Sequence, residues 1–142
     1  SFANALDDRF IADNLPTRKL MDENKISFVA FSPLAKGLLL DKYKKDAPPK
    51  FEEGDHRARS DSFSPDNLAK LEPKLKKLKE HFGSNTEDLA RVALQYVLHY
   101  KVVAAVIPGF RNLNQVKTNL SAADKPLTDD EFNFVKEIFS SN

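Results

Sequence analysis

Apolar residues recur along this chain with two different periods, and the switches between them mark out its elements. Residues 26–31, ISFVAF, form a short branched and aromatic run, and residues 102–107, VVAAVI, form another. Runs of that length and content predict buried strands. The second is apolar throughout, as suits a parallel strand covered on both faces. From Ser64-Pro65 onward the period changes. Leu68, Leu71, Leu75, Leu78 and Phe82 recur at spacings of three and four, which is the stripe of an amphipathic helix. Two heptads of this kind would also suit a coiled coil, but Pro73 removes a backbone donor and predicts a kink instead. Gly83 ends the stripe, and Ser84 with Glu87 has the spacing of a capping box. A second helix then carries Leu89, Val92, Ala93, Tyr96 and Val97 on one face. Shorter helical patterns begin at Pro16 and near Leu113. A last one starts at Thr128, where Thr128 and Glu131 form another capping box and Phe132, Val135, Ile138 and Phe139 are the positions to bury. The Pro- and charge-rich stretch between the first strand and Ser64 reads as an extended surface loop.

Strands alternating with helices predict an α/β fold with parallel strands. Two strands do not close such a domain, because apolar strand faces need cover and unpaired edges are sticky. The expectation is a piece of a parallel barrel or of a doubly wound sheet. The opening SFANALDDRF lacks an initiator methionine and is expected to lie inside a structured element, with more protein ahead of it. The capped helix and short polar tail at the other end read as a natural C-terminus.

Composition narrows the function classes. The 142 residues suit one domain, and 41% hydrophobic with 30% charged residues is ordinary for a globular protein. Lys and Arg number 22 against 21 Asp and Glu, so no global field points to nucleic acid or a membrane as partner. The absence of cysteine excludes a disulfide framework, a thiolate nucleophile and a zinc ribbon, and it fits a reducing compartment. With no secretory pattern and no apolar run long enough for a bilayer, the expected location is cytoplasmic. His81 and His99 fall near helix C-termini, where a cation suits the helix dipole. His56 lies in a charged loop with Asp55 and Arg57 and reads as solvated. No carboxylate pair has metal-ligand spacing around a histidine, so no metal is assigned.

The candidate chemistry lies where the strands end. After Phe31 comes SPLAKG, offering a hydroxyl, backbone N–H groups and Lys36 around a tight turn. After Ile107 comes PGFR, where Gly109 lets the backbone approach a ligand and Arg111 offers a planar fork for phosphate. In parallel α/β folds ligands bind at the carboxyl ends of strands, and in (β/α)8 barrels a phosphate site is common after the last two. The helix after Arg111 adds a partly positive N-terminus. Gln115 and Asn119 share one face of it, and each amide can donate and accept, as the edge of an adenine requires. Taken singly, every one of these features is common in turns and on surfaces. Their joint placement favours one anionic ligand bridging both strand ends.

FSPLAKGLLLDKY (31–43) and VIPGFRNLNQVKTNL (106–120) resemble the two cofactor segments of the aldo-keto reductases, and LARVALQYVLHYKVVAAVIPG between them is similar to that family's penultimate helix and last strand. The resemblance runs from Ala3 onward. It implies the C-terminal part of a (β/α)8 TIM barrel: the end of strand six, then strands seven and eight with their helices, in one cofactor-binding unit over 1–142. It implies an NADPH-dependent reductase of aldehydes or ketones, with NADP(H) and a small carbonyl compound as ligands and the N-terminal half of the barrel as structural partner. By resemblance Ser32, Pro33 and Leu34 would cradle the pyrophosphate, helped by Lys36 and Lys42. Gly109 and Arg111 would hold the 2′-phosphate, and Gln115 and Asn119 would read the adenine. The chain departs from the family at several points. Phe31 stands for the usual Tyr, Asp41 for a Gly, Phe110 for a small residue and Thr118 for a carboxylate found in some members. Asn4 occupies the register of the family's nicotinamide-stacking aromatic, with Phe2 nearby, so no stacking residue is assigned. The family's Asp, Tyr, Lys and His tetrad lies upstream, so no catalytic residue is assigned either. Two other readings stand beside this one: a non-catalytic nucleotide-binding or regulatory subunit on the same barrel, and a scaffold with no nucleotide affinity.

Overall fold

The computed structural model describes residues 1, 3–13 and 15–140. The elements follow in the order α1 (Pro16–Glu23), β1 (Phe28–Phe31), α2 (Pro65–Phe82), α3 (Thr86–Leu98), β2 (Val103–Ile107), α4 (Leu113–Ser121) and α5 (Asp129–Ser140), with short 3-10 turns between β1 and α2. The strands pair in parallel, Phe31 opposite Ile107 and Ala30 opposite Val106, with a register shift after Phe28. On the other edge of β1, Phe31 exchanges backbone hydrogen bonds with Ser1 and Ala3. The chain is therefore α/β, and both strands deliver their carboxyl ends to the same side.

The sheet is not covered on both faces. Phe28 and Ala30 are buried, whereas Val29, Phe31 and Ile107 are half exposed and Ala104 and Ala105 also face out. Helices pack on one face, and no described element lies against the other, so the apolar run of β2 is only partly used. Under the covered face, the α2 stripe of Leu68, Leu71, Leu75 and Leu78 meets Leu89, Val92, Tyr96 and Val97 of α3 and Val135 and Ile138 of α5 in one core. Burying each of those leucines contributes about 1.5–3 kcal/mol. Pro73 does not end α2. It sits on the exposed side, where the carbonyl it leaves unpaired faces water.

The caps are nearly as the spacing predicts. Thr128 and Glu131 exchange both bonds of their box, at 2.8 and 3.2 Å. The box at α3 is one residue later than Ser84 and Glu87: the Asp88 carboxylate accepts the Asn85 N–H at 3.3 Å. Gly83, with a φ of +107°, turns the chain sharply out of α2, and a Cβ there would collide with the Asp88 carboxylate. At the other end of the chain, Tyr96 of α3 and Tyr100 just beyond it both donate to Asp8, at 2.8 and 2.7 Å, tying the opening segment to the core. No described helix is long and apolar enough to cross a membrane.

The segment between β1 and α2 is not the extended surface loop its composition predicts. Ala35 and Leu38–Leu40 are buried in the core, and Tyr43, Phe51 and Phe63 form an edge-to-face aromatic cluster with centroids 4.9–6.3 Å apart. Four apolar residues inside a turn outweigh the surrounding Pro and charge.

Candidate functional site

The ends of β1 and β2 open into one cavity of about 640 Å³. That volume is ordinary for a small-molecule site.

One wall is the turn that follows β1. Ser32, Ala35, Lys36 and Asp41 all have φ between +47° and +57°, and Gly37 has +94°. Left-handed backbone costs about 1–2 kcal/mol at a residue carrying a Cβ, so four such residues within ten demand strong local fixing. The Ser32 carbonyl receives the Ala35 N–H at 3.0 Å and the Asn4 side-chain amide at 3.3 Å. The Tyr43 hydroxyl donates to the Lys36 carbonyl at 3.3 Å. Leu38, Leu39 and Leu40 anchor the far end in the core. Strain held this firmly is typical of ligand clamps.

The lysines around Asp41 are sorted by their partners. Lys79 and Lys44 reach the Asp41 carboxylate at 2.6 and 2.7 Å. Burial raises the pKa of this carboxyl, but those two cations outweigh it and hold the group below its ordinary value. Lys45 pairs with Glu72 at 2.9 Å. Lys42, next to Asp41 in sequence, lines the cavity and pairs with no carboxylate among the described residues.

The opposite wall is the turn after β2 and the start of α4. The Asn112 side chain caps α4, accepting the Gln115 N–H at 3.0 Å. The Gln115 side-chain carbonyl accepts the Arg111 N–H at 2.6 Å. Gln115 therefore braces the turn through one lone pair of its oxygen, while its second lone pair and its amide hydrogens stay open toward the cavity. The Asn119 side-chain nitrogen, by contrast, is buried without a hydrogen-bond partner among the described residues. Gly109 has ordinary backbone, and the space where a Cβ would sit is open for 4 Å. The far end of α4 is held by α3: the Gln95 amide donates to the Ala122 and Ala123 carbonyls at 2.7 and 3.1 Å.

A third side comes from the loop read as solvated. Asp55 grips the Arg57 guanidinium, which lies 4.5 Å over the Phe51 ring, and both His56 and Arg57 line the cavity. The Asp55 carboxyl is held far below its ordinary pKa, first of all by the Arg57 side chain. Spacing alone carries no sign of this, because Phe51 is what draws the loop inward.

All nine candidate residues, Ser32, Pro33, Leu34, Lys36, Lys42, Gly109, Arg111, Gln115 and Asn119, line this one cavity. Sequence reasoning missed Phe31, Phe110 and Arg57, which line it too. Asn4 does not; it is buried and supports Ser32 from behind. Phe2 lies outside the described residues. His81 and His99 stack on Phe134 and Phe132, with centroids 4.3 and 4.2 Å apart, so they pack the helices rather than serve the site. The lining holds four Lys and Arg side chains and no carboxylate. Arg57 is balanced by Asp55, which leaves Lys36, Lys42 and Arg111 as a local excess suited to an anion in a chain whose charges almost cancel.

Known proteins resemble this chain in sequence and in fold. The chain is 32% identical over 113 residues to aldo-keto reductase str7 of Strobilurus tenacellus, covering 80% of this chain and 33% of that protein. It is 26% identical over 119 residues to aldo-keto reductase yakc [NADP(+)] of Schizosaccharomyces pombe, covering 84% and 34%. Among solved structures, the glycerol dehydrogenase AKR11B4 from Gluconobacter oxydans superposes with a TM-score of 0.74 at 26% identity, over 97% of this chain and 40% of that one. The chain thus spans about a third of the length of the curated relatives it matches. The aldo/keto reductase family model matches residues 10–139, and the chain belongs to that family of oxidoreductases.

Proposed function

We propose that this chain is the C-terminal part of a (β/α)8 barrel, one unit over 1–142, and forms the NADP(H)-binding wall of an enzyme that reduces aldehydes or ketones. The observation that carries the reading is the convergence of both strand ends on one cavity with four cationic side chains and no carboxylate. A nicotinamide dinucleotide carries its negative charge on phosphates, and its 2′-phosphorylated form carries more. The residues fit such a group on a second count: the buried, unpartnered Asn119 nitrogen is a donor waiting for an acceptor, and leaving it unpaired costs about 1–3 kcal/mol.

Each wall has its own task. The strained turn at 32–37 offers backbone N–H groups and the Ser32 hydroxyl to a pyrophosphate, with Lys36 and Lys42 beside it. Arg111 offers bidentate hydrogen bonds to a ribose phosphate. Asn119 donates to a ring nitrogen of the base, and the free amide hydrogens of Gln115 supplement it. When bound, the cofactor supplies hydride chemistry. Proton transfer to the carbonyl oxygen would fall to the Asp, Tyr, Lys and His tetrad that the family resemblance places ahead of this chain. The barrel's preceding strands would cover the exposed face of Val29, Phe31 and Ile107 and bring those residues to the mouth of the site.

The test is NADPH titration of the natural-length protein, followed by nicotinamide fluorescence at rising salt. The reading expects saturable binding that weakens as ionic strength screens the lysines and arginines. No binding, or binding indifferent to salt, would reject it.

A further inference from the structure

Phe110 is unusual among the residues of the cavity. Its side chain is 64% exposed, yet it lines a polar, cationic site. It makes no ring stack or cation contact with any described residue. The other exposed apolar residues there, Phe31 and Ile107, are paired with each other across the sheet. Phe110 instead stands on the turn between Gly109 and Arg111, where, its chain neighbours apart, no described heavy atom lies within 4 Å of where a Gly109 Cβ would be. The exposed ring itself borders the cavity. The same cavity holds the unpartnered Asn119 nitrogen, which needs an acceptor in or near a ring plane.

Those three features describe a site for a heteroaromatic base. The ring face of a purine is apolar and polarisable, and its edge carries acceptor nitrogens. Phe110 covers the face while Asn119 meets the edge, and Arg111 beside them takes the adjoining phosphate. We propose that Phe110 is the stacking platform for the adenine ring and so a binding residue for the nucleotide end of the cofactor. The inference rests on the cofactor reading above and adds a contact to it.

Sequence neighbours support the division of labour. The Gln115 carbonyl fixes the Arg111 backbone, so the turn presenting Phe110 is braced before any ligand arrives. A platform of this kind gains affinity only if it is already in place, because ordering a loose aromatic would offset the contact.

The experiment compares two probes in the natural-length protein: adenosine 2′,5′-bisphosphate, which has the base and ribose phosphate but no nicotinamide, and reduced nicotinamide mononucleotide, which has no adenine. Affinities are measured by calorimetry for the wild type, Phe110→Ala, Phe110→Leu and Phe110→Tyr, beside apo thermal melts. Losing a base stack weakens binding by roughly 5- to 150-fold. Phe110→Ala is expected to weaken the bisphosphate by that much and leave the mononucleotide within about twofold. Phe110→Tyr keeps the ring and the affinity; Phe110→Leu keeps apolar bulk and recovers only a small part. The apo melts stay close to wild type, since an exposed ring adds little to stability. Unchanged bisphosphate affinity in Phe110→Ala overturns the platform, as does full recovery by Phe110→Leu. A large fall in the apo melt with equal loss for both probes also overturns it, and assigns Phe110 to packing against another part of the protein. A wild type that binds neither probe rejects the cofactor reading itself, a result separable from all of these.

Discussion

The side-chain carbonyl of Gln115 accepts the backbone N–H of Arg111 at 2.6 Å. The first turn of α4 is thereby locked to the turn that carries the cation, and Gln115 is a brace before it is a ligand. Replacing it with Ala should lower apo stability by about 0.5–1.5 kcal/mol, the net worth of one such bond. Gln115→Glu keeps an acceptor in place and should recover the melt, while its negative charge in a cationic cavity weakens NADPH binding. Apo melts and cofactor titrations of both variants check this. Equal melts for Gln115→Ala and Gln115→Glu, both below wild type, would mean the brace is not the source of the stability.

Asn119 should behave in the opposite way. Its buried nitrogen lacks a partner among the described residues, so an apolar residue of similar size removes a cost rather than a bond. Asn119→Leu is expected to hold or raise the apo melting temperature and to weaken NADPH by about 0.5–1.5 kcal/mol. A lower melt with unchanged affinity would show that the amide is paired within the protein.

Asp41 links pH to the site. Its carboxyl is held below its ordinary value by Lys44 and Lys79 against the effect of burial. A proton then binds the unfolded chain more readily than the folded one. Its stabilising contribution is complete above the ordinary value of 3.8 and disappears as pH falls through the lower folded value. Asp41→Asn should therefore melt below wild type at neutral pH, and the gap should close in acid below about pH 4. A gap that persists unchanged to pH 2 would assign the loss to something other than this charge.

Much of this architecture is legible in the order of apolar residues. The stripe from Leu68 to Leu78, the paired runs around Ala30 and Val106, and the Thr128 box all form where their spacing places them, because each is a local pattern with one good partner surface. The turn after β1 was beyond such reading. Four of its left-handed residues, Ser32, Ala35, Lys36 and Asp41, are not glycine, and their conformation is held by hydrogen bonds from Asn4 and Tyr43 and by the burial of Leu38–Leu40. The inward fold of Arg57 escaped for the same reason: Phe51, six residues away, supplies the face it lies on. The nine candidate residues were chosen from strand ends and family resemblance together, and their convergence on one cavity needed the three-dimensional path of the chain. The bracing bond of Gln115 went unread, since a 2.6 Å bond to a neighbouring turn has no signature in spacing.

The central claim is that this cavity grips a 2′-phosphorylated nicotinamide dinucleotide, and Arg111 tests it most directly. Its guanidinium lines the cavity and makes no ion pair with a described carboxylate. The measurement is the dissociation constant of NADPH and of NADH for the natural-length protein and its Arg111→Ala variant. The account predicts a loss of about 1.5–3 kcal/mol for NADPH, the worth of a hydrogen bond to a charged group, with NADH nearly unchanged. Equal losses for the two cofactors, or none for either, would contradict it.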